Sequence, residues 1–279
     1  MKQSCMTTMN RMKKLVVFLP AHNEEGNIGH VIARIPREMG RDWTVEVLVV
    51  DDGSTDRTVE EARRAGAEHV TSFAANRGLG AAVREGLAGC LRLGADVGLM
   101  IDADNEYPAA EIPNVIAPIL EGRADYTMGS RFKGTIRGMR LHRRLGNVCF
   151  TLLQAILLRR VIWDGQSGMR GFSRQAMACA DIIHDYNYAQ VLTLNLVRQG
   201  FVMEEVPITY QVRVHGQSFI KFRKYLGHVL PAIWREMRRP IAKRARQNAA
   251  EAVAGTPAAE PALRRAASAA PAEKERRYG

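Results

Sequence analysis

The amino-acid sequence predicts an α/β fold class, with a mostly parallel sheet and helices on both of its faces. Three short apolar runs support this prediction, and polar residues follow each of them directly: Leu15–Pro20, Val45–Val50 and Val97–Ile101. Helical segments separate the runs, and this alternation indicates parallel pairing. Strands that are covered on both faces read as continuous apolar runs, as these do.

The polar residues lie where each predicted strand stops. Residues 21–25 (AHNEE) follow the first strand and lead into a helix, and residues 51–56 (DDGSTD) follow the second. After a short strand at His69–Ser72, residues 76–80 (NRGLG) open another helix, and their glycines allow the backbone to approach a bound group closely. Since ligands of open α/β sheets bind at the carboxyl ends of the strands, we expect the binding edge here.

Three acids follow the strand at Val97–Ile101, namely Asp102, Asp104 and Glu106. Aspartate is a poor strand former, so acids at this position need a reason. Carboxylates suit Mg²⁺ or Mn²⁺, which proteins usually hold with one or two carboxylates and the phosphates of a substrate. The alternative is a polar turn in which Asp104 or Asn105 caps a helix that starts near Pro108.

Seven motifs together resemble the family 2 glycosyltransferases, and the last two resemble the dolichyl- or polyprenyl-phosphate mannose or glucose synthases within that family. Several motifs in register are far more specific than any one of them. The resemblance covers about residues 13–230. It implies the A-type glycosyltransferase fold, a nucleotide-diphosphate sugar as donor, and inversion at the anomeric carbon. The motifs are Pro20-x-x-Asn23-Glu24-Glu25, Val50-Asp51-Asp52-Gly53-Ser54-Thr55-Asp56, Asn76-Arg77-Gly78-x-Gly80-Ala81-Ala82, Asp102-x-Asp104, Gly129-Ser130-Arg131, Asp164-Gly165-Gln166-Ser167-Gly168-Met169-Arg170-Gly171-Phe172 and Glu205-Val206-Pro207-Ile208.

The resemblance implies a role for each matching residue on the donor side. The residues expected to bind the nucleotide are Pro20, Asn23, Glu24, Asp51, Asp52, Gly53, Gly78 and Gly80. Among them Asp52 is expected to contact the base. The expected ligands of Mg²⁺ or Mn²⁺ are Asp102, Asp104 and Glu106. The family often carries Gln at the third position, so Glu106 is expected to strengthen cation binding. Taken singly, Gly53 and Gly78 could end strands, and Asp51 and Asp56 could cap helices.

Residues 131–158 suggest where the acceptor binds. Residues 131–144 contain six Lys or Arg and no acid, and the apolar stretch Leu145–Leu158 follows them. This stretch is shorter than the roughly 20 residues of a spanning helix. The flanking arginines suit a helix that lies at the level of the lipid headgroups. The alternative is an ordinary core helix with solvated basic ends.

The resemblance also implies acceptor residues further along the chain. Arg213, Gly216 and Ser218 match a loop that closes over the acceptor phosphate in the family. Phe219 stands where lysine is usual, which leaves that contact open between Lys221 and Arg223. The expected acceptor-side residues are Arg131, Arg140, Arg143, Arg144, Ser167, Gly168, Arg213, Ser218 and Lys221, and the expected catalytic residues are Asp104, Arg131 and Arg213.

The type of acceptor decides whether the reaction needs a base. A sugar hydroxyl must lose its proton to a general base, whereas a polyprenyl phosphate is already an oxyanion. Members that act on hydroxyls commonly show a Gln-x-x-Arg-Trp segment, which this sequence lacks. Residues 188–190 (YAQ) stand where an acid is frequent, although Asp164 could still serve as a base. A phosphate acceptor is therefore favoured, and a hydroxyl of a soluble or glycan acceptor is the alternative.

Two rival functions have less support. A nucleotidyltransferase usually places a glycine-rich basic loop after its first strand, but residues 21–27 (AHNEEGN) are acidic here. A non-catalytic sugar-nucleotide binder would not need the acidic residues at 102–106. The donor stays open between GDP-mannose and UDP-glucose.

Composition agrees with anionic partners. The net charge is +11, from 40 Lys and Arg and 29 Asp and Glu. No aromatic platform or helix-turn-helix pattern supports nucleic-acid binding, so we expect none. The four cysteines have no metal-like spacing, which is typical of a reducing compartment.

We expect four regions along the chain. They are a flexible leader (1–12), a catalytic domain (13–213), an acceptor loop with an amphipathic interfacial helix (214–237), and a disordered Ala/Pro/Arg-rich tail (238–279). The interfacial helix is predicted over Leu226–Trp234, interrupted at Pro231. We expect a monotopic protein at the cytoplasmic face of the membrane, with room for an integral membrane partner. The basic start of the tail is either a membrane tether or a solvated segment.

Overall fold

The computed structural model describes residues 12–185, 188–212 and 222–241. Within them, one sheet of seven strands is flanked by eight α-helices. The strands are β1 (Lys13–Ala21), β2 (Trp43–Asp51), β3 (His69–Ser72), β4 (Val97–Ile101), β5 (Tyr126–Arg137), β6 (Met169–Ser173) and β7 (Met203–Gln211). The helices are α1 (Ile28–Ala33), α2 (Thr58–Arg64), α3 (Leu79–Arg92), α4 (Ile112–Leu120), α5 (Leu141–Leu158), α6 (Arg174–Cys179), α7 (Ala189–Arg198) and α8 (Phe222–Arg238).

Several expectations concern residues outside those ranges. The leader up to residue 11 and the tail from residue 242 are among them. So are the expected acceptor residues Arg213, Gly216, Ser218 and Lys221. The division of the chain into four regions therefore stays a prediction.

The strand order confirms the predicted, mostly parallel sheet. The order is β3-β2-β1-β4-β6-β5-β7. The first four strands are parallel, β6 runs antiparallel to both β4 and β5, and β7 is parallel to β5. Ala21 at the end of β1 pairs with Asp51 at the end of β2, so the two strands stop level with each other. This register places their polar loops side by side.

The core has a layer on each face of the sheet because alternate strand residues point to opposite sides. In β1, Leu15 and Val17 belong to the layer that α1 and α4 cover. Val16 and Phe18 belong to the layer under α3, α6 and α7. Both faces are buried, which explains why the strands read as unbroken apolar runs.

Helices α5, α7 and α8 form a third, smaller hydrophobic cluster. The course of α8 differs from the predicted one. Phe150 of α5 packs with Leu194 of α7 and with Val229 and Ile233 of α8. The predicted interruption at Pro231 is wrong, because α8 continues through it. Proline removes one helical hydrogen bond, and the buried residues on both sides of Pro231 hold the helix together. In the part of the chain that is described, no helix is long and apolar enough to cross a bilayer.

Candidate active site

The loops after β1 and β2 are joined at the carboxyl edge of the sheet. Pro20 ends the buried run of β1 opposite Val50. The backbone N–H of Asp52 donates to Ala21 O at 2.8 Å, and Nδ1 of His22 lies 2.9 Å from Asp52 O. These contacts bring the two predicted nucleotide-binding segments into one surface.

Asn23 supports this surface from a conformation that few residue types accept. Its φ of 55° is left-handed, which asparagine tolerates better than most side chains. The Asn23 N–H donates to Ser54 Oγ at 2.9 Å, and the Thr55 N–H donates to Asn23 Oδ1 at 2.8 Å. The Glu24 N–H donates to Thr58 Oγ1 at 2.8 Å. Side chains thus satisfy the exposed backbone of both loops.

Asp52 holds the glycine turn that opens α3. Its buried carboxylate accepts the N–H groups of Arg77 at 2.6 Å and Gly78 at 2.9 Å. Gly78 has a φ of 95°, and a Cβ on Gly80 would lie 2.0 Å from His184 O. Both glycines are therefore required by the backbone. A carboxylate has about four acceptor sites, so the expected contact of Asp52 with a base would use the sites that remain.

Two other turn residues have structural partners. Gly53 has a φ of 69°, and a Cβ there would lie 2.5 Å from the carbonyl carbon of Ala75. Asp51 Oδ1 accepts the Ser54 N–H at 3.0 Å within the same turn. Asp56 accepts the Thr58 N–H at 3.0 Å, which is the helix-capping alternative for this residue.

The loop after β4 presents Asp102 and Asp104 at the same edge. Asp104 is buried, and its Oδ1 accepts the Glu106 N–H at 3.1 Å. Asp102 Oδ2 fills the space beside Gly168, where a Cβ would lie 1.7 Å from that oxygen. Gly168 also donates its N–H to the hydroxyl of Tyr107 at 3.0 Å. A glycine at position 168 therefore makes room for the Asp102 carboxylate.

Glu106, the third predicted metal ligand, is paired with Arg143, and its role as a ligand stays a prediction. Its carboxylate is 1% exposed and accepts two hydrogen bonds from Arg143, at 2.8 and 2.9 Å. Among the described residues, no three His, Cys, Asp or Glu side chains are grouped as a metal site. Asp102 and Asp104 remain a fitting pair for Mg²⁺ or Mn²⁺, since one or two carboxylates with substrate phosphates suffice.

Tyr210 of β7 completes this arrangement. Its hydroxyl accepts a hydrogen bond from Arg143 at 2.9 Å. Burial and the neighbouring Glu106 carboxylate raise the pKa of Tyr210 to about 12. Burial alone would lower the pKa of Arg143, but the hydrogen bonds to Glu106 outweigh it, and the pKa is raised. Both groups therefore keep their protons at any physiological pH.

Arg131 is buried and paired within the protein, and its predicted contact with a phosphate stays a prediction. The side chain is 2% exposed and pairs with fully buried Asp164 through Nε at 2.6 Å and Nη2 at 2.8 Å. The Arg131 N–H also donates to Asp164, at 2.9 Å. Both oxygens of Asp164 are engaged, because Oδ1 also accepts the Gln166 N–H at 3.1 Å. The pair organises residues 163–168 and leaves Asp164 poorly placed to act as a base.

Glu205 fixes the same loop from β7. Its carboxylate accepts the N–H groups of Trp163 at 3.0 Å and Asp164 at 2.8 Å. Burial raises the pKa of the Glu205 carboxyl despite these two donors. From α5, the Thr151 hydroxyl accepts the Gly165 N–H at 2.9 Å. The loop is therefore held from two sides.

Arg170 is a site residue to which the sequence reasoning gave no role. It is fully buried in β6 and donates to Ser167 O at 2.8 Å, to Gly165 O at 3.2 Å and to Thr193 Oγ1 at 3.0 Å. Its guanidinium lies 5.0 Å from the centre of the Tyr188 ring. Ser167 is itself buried and accepts the Met169 N–H at 3.3 Å. The signal in the sequence that pointed to Arg170 was a charged residue within a short apolar strand.

Helix α5 has one buried face and one exposed apolar face. Arg140 and Arg144 near its start are exposed. The apolar residues of the exposed face follow helical spacing and are 46% to 71% exposed: Leu141, Leu145, Val148, Leu152 and Ile156. We call these five residues the apolar stripe. Phe150 on the opposite face packs against α7 and α8. The helix is thus packed on one side and exposed and apolar on the other, and its placement at lipid headgroups stays a prediction.

The sheet order, the helices on both faces and the acidic loop at the carboxyl edge define the A-type glycosyltransferase fold. The same fold occurs in the crystal structure of glucosyl-3-phosphoglycerate synthase from Mycobacterium tuberculosis in complex with Mn²⁺, UDP and glucosyl-3-phosphoglycerate. The two structures superpose with a TM-score of 0.63 at 26% identity, over 82% of this chain and 81% of that one.

Sequence comparison gives the family. The model of glycosyl transferase family 2 matches residues 16–180, more than half of the chain. The chain therefore belongs to glycosyl transferase family 2. It is 30% identical to the polyprenol monophosphomannose synthase of Mycolicibacterium smegmatis, over 76% of this chain and 82% of that protein. It is 32% identical to a dolichyl-phosphate hexose transferase of Haloferax volcanii, over 71% of this chain and 83% of that protein.

Proposed function

We propose that this glycosyltransferase moves a hexose from GDP-mannose or UDP-glucose to a polyprenyl phosphate at the membrane surface. The observation that carries the proposal is the apolar stripe of α5, which lies on a helix attached to the acidic loop through Arg143 and Glu106. Relatives named for polyprenol and dolichyl-phosphate transfer support it. A lipid acceptor explains why an apolar surface adjoins a site built for anions.

The stripe suits a helix that lies in the plane of the membrane interface. It spans 15 residue steps, about 22 Å at 1.5 Å per residue. We assign exposed Arg140 and Arg144 at one end and Arg159 at the other to anionic headgroups, whereas Arg160 donates to Met203 O. We assign the protein to the cytoplasmic face, bound peripherally, and leave room for an integral membrane partner.

On the donor side, the loops around Asn23, Asp52 and Gly78 bind and orient the nucleotide. Asp102 and Asp104 would hold Mg²⁺ or Mn²⁺, which when bound neutralises the diphosphate and favours departure of the nucleotide. Gly168 contributes by leaving space for the Asp102 carboxylate.

On the acceptor side, the lipid phosphate supplies an oxyanion and needs no general base. Asp164 is buried and paired with Arg131, which agrees with a reaction that uses no carboxylate base at this position. Arg140 and Arg144 are exposed at the start of α5, and we assign them, together with Arg213, to the acceptor phosphate. In-line attack on the anomeric carbon then inverts its configuration, with positioning as the main source of rate.

The second candidate is transfer to a hydroxyl of a soluble or glycan acceptor. The fold shared with glucosyl-3-phosphoglycerate synthase favours it, since glucosyl-3-phosphoglycerate is a water-soluble product. This candidate predicts an acid whose loss stops the reaction without weakening donor binding.

The testing experiment offers the enzyme radiolabelled nucleotide sugars, one at a time, with Mn²⁺ or Mg²⁺ and polyprenyl phosphate. We expect label from one donor to enter the organic phase, and a chelator to abolish this transfer. Label that enters water-soluble acceptors and never the lipid would contradict the proposal and favour the second candidate.

A further inference from the structure

We propose that Glu106 and Arg143 form a charge-balanced positioning pair that ties the first turn of α5 to the acidic loop and leaves Asp102 and Asp104 as the carboxylates for a cation. The inference rests on the proposed function, because it concerns the same donor site. It assigns Arg143 to Glu106 instead of to an acceptor phosphate.

The geometry of the pair is that of a strong, directed contact. Nη1 and Nη2 of Arg143 each donate to one oxygen of Glu106, at 2.8 and 2.9 Å. This parallel arrangement matches the planar fork of arginine to a carboxylate. Each Glu106 oxygen already accepts one of these hydrogen bonds, which uses two of the roughly four acceptor sites of the carboxylate. The positive charge of Arg143 beside them opposes a cation at the remaining sites.

A third element fixes the pair in place. Arg143 also donates to the Tyr210 hydroxyl of β7 at 2.9 Å, and the Gln211 N–H of the same strand donates to Glu106 O at 3.1 Å. The acidic loop, the start of α5 and the end of β7 therefore meet at these two charges. The helix that carries the apolar stripe is thereby positioned relative to the donor site.

The charges of the pair also explain how a glutamate is accommodated where the family often has glutamine. Glutamine is neutral, and Glu106 with Arg143 sums to zero as well. The net charge near the cation is then set by Asp102 and Asp104. Compared with a site that is neutral at both positions, the site with Glu106 and Arg143 should therefore bind a cation no more strongly.

The test is a double-mutant cycle on Mn²⁺ binding, measured by electron paramagnetic resonance with UDP or GDP present. The proteins are the wild type, Glu106→Gln, Arg143→Gln and the double variant. One uncompensated charge close to the bound cation changes the affinity for Mn²⁺ by about fivefold to tenfold. We expect Glu106→Gln to weaken Mn²⁺ binding by that factor, Arg143→Gln to strengthen it, and the double variant to return within about twofold of wild type.

A direct role for Glu106 as a ligand gives a different result. The double variant would then bind Mn²⁺ as weakly as Glu106→Gln, and the proposal would be overturned. Arg123→Gln is the matched control, because Arg123 forms exposed ion pairs with Glu121 and Glu204 away from the donor edge. We expect it to leave Mn²⁺ binding unchanged.

Urea unfolding of the same four proteins separates this proposal from the proposed function. We expect the sum of the decreases in unfolding midpoint for the two single variants to exceed the decrease for the double variant. The reason is that each single variant leaves one charge of the pair without its counter-ion. Additive effects would overturn the pair. A wild type that binds no Mn²⁺ with either nucleotide would instead contradict the cation part of the proposed function, while the unfolding cycle still decides the pair.

Discussion

The donor edge and the acceptor side of this protein are built by different means. We use donor edge for the proposed donor site, residues 20–24, 51–56, 76–80 and 102–104, and acceptor side for the proposed acceptor region, residues 131–170. At the donor edge, glycines with positive φ and side-chain contacts to backbone N–H groups shape the loops, as with Asp52 and Gly78. On the acceptor side, buried or half-buried ion pairs do this, as with Arg131 and Asp164.

The difference shows how a count of charges can mislead. Residues 131–144 contain six basic residues, which favoured a phosphate acceptor. Arg131 and Arg143 are bound to carboxylates of the protein itself, and Lys133 donates to the Glu205 carbonyl at 3.2 Å. The positive charge that faces an acceptor is therefore smaller than the sequence indicates. Exposed Arg140 and Arg144 are the members of this segment to test as acceptor contacts.

The largest expected effect is at the donor edge. We expect Asp104→Asn to lower the transfer rate at least about 100-fold, because an amide is a much weaker cation ligand than a carboxylate. Asn can still accept the Glu106 N–H, so the loop should keep its shape. Initial rates over a range of Mn²⁺ concentrations measure the effect. Asp42→Asn, at an exposed position, is the control, and substantial activity in Asp104→Asn would refute this role.

The next largest effect is on stability, and it tests whether Arg131 and Asp164 act as a structural ion pair. Asp164→Asn leaves the Arg131 charge buried without its counter-ion, which costs about 3–5 kcal/mol in the free energy of unfolding. Asp181→Asn, which weakens a more exposed pair with Arg239, should cost at most about 1 kcal/mol. Urea denaturation compares the two. Equal losses would show that Arg131 does not depend on Asp164.

The apolar stripe gives a smaller effect that acts on binding. Leu145→Gln combined with Leu152→Gln removes about 2 kcal/mol of apolar burial in a membrane, or about 30-fold in vesicle affinity. Sedimentation with anionic vesicles measures it. Val202→Gln is the control, because Val202 is 52% exposed, close to the 58% of Leu152, but lies outside α5. Equal vesicle affinity of the Leu145 and Leu152 double variant and of Val202→Gln would show that the apolar stripe does not bind the membrane.

The sequence predicted the loops at the carboxyl edge of the sheet well, and their role in donor binding stays a prediction. The residues of these loops are turn formers that act on nearby backbone, so their types and spacing indicate both the loops and their position at strand ends. The fold class, with its mostly parallel sheet, also follows from the apolar runs and the helices between them.

The acceptor side was harder to predict because its partners are far apart in sequence. Arg131 and Asp164 are separated by 33 residues, and Glu106 and Arg143 by 37. No local pattern marks which carboxylate an arginine will meet. The sequence therefore indicated Arg131 and Glu106 as important without indicating their partners Asp164 and Arg143.

The smallest expected effect is the pH dependence of Glu205. Burial raises its pKa, so the folded protein binds more protons at this site than the unfolded chain does between the usual Glu pKa and the raised one. Stability therefore falls as the pH rises through that window. We expect Glu205→Gln to remove this part of the slope. Thermal melts of both proteins at several pH values test it, and identical slopes would contradict the assignment.

The central claim is that the acceptor is a phosphate on a lipid, and one pair of substrates tests it most directly. Polyprenyl phosphate and the corresponding polyprenol share a tail and differ in the nucleophile. With the donor found active, we predict transfer to polyprenyl phosphate and none to polyprenol. Comparable transfer to polyprenol would contradict the account, because a hydroxyl acceptor would then be used and a general base would have to be found.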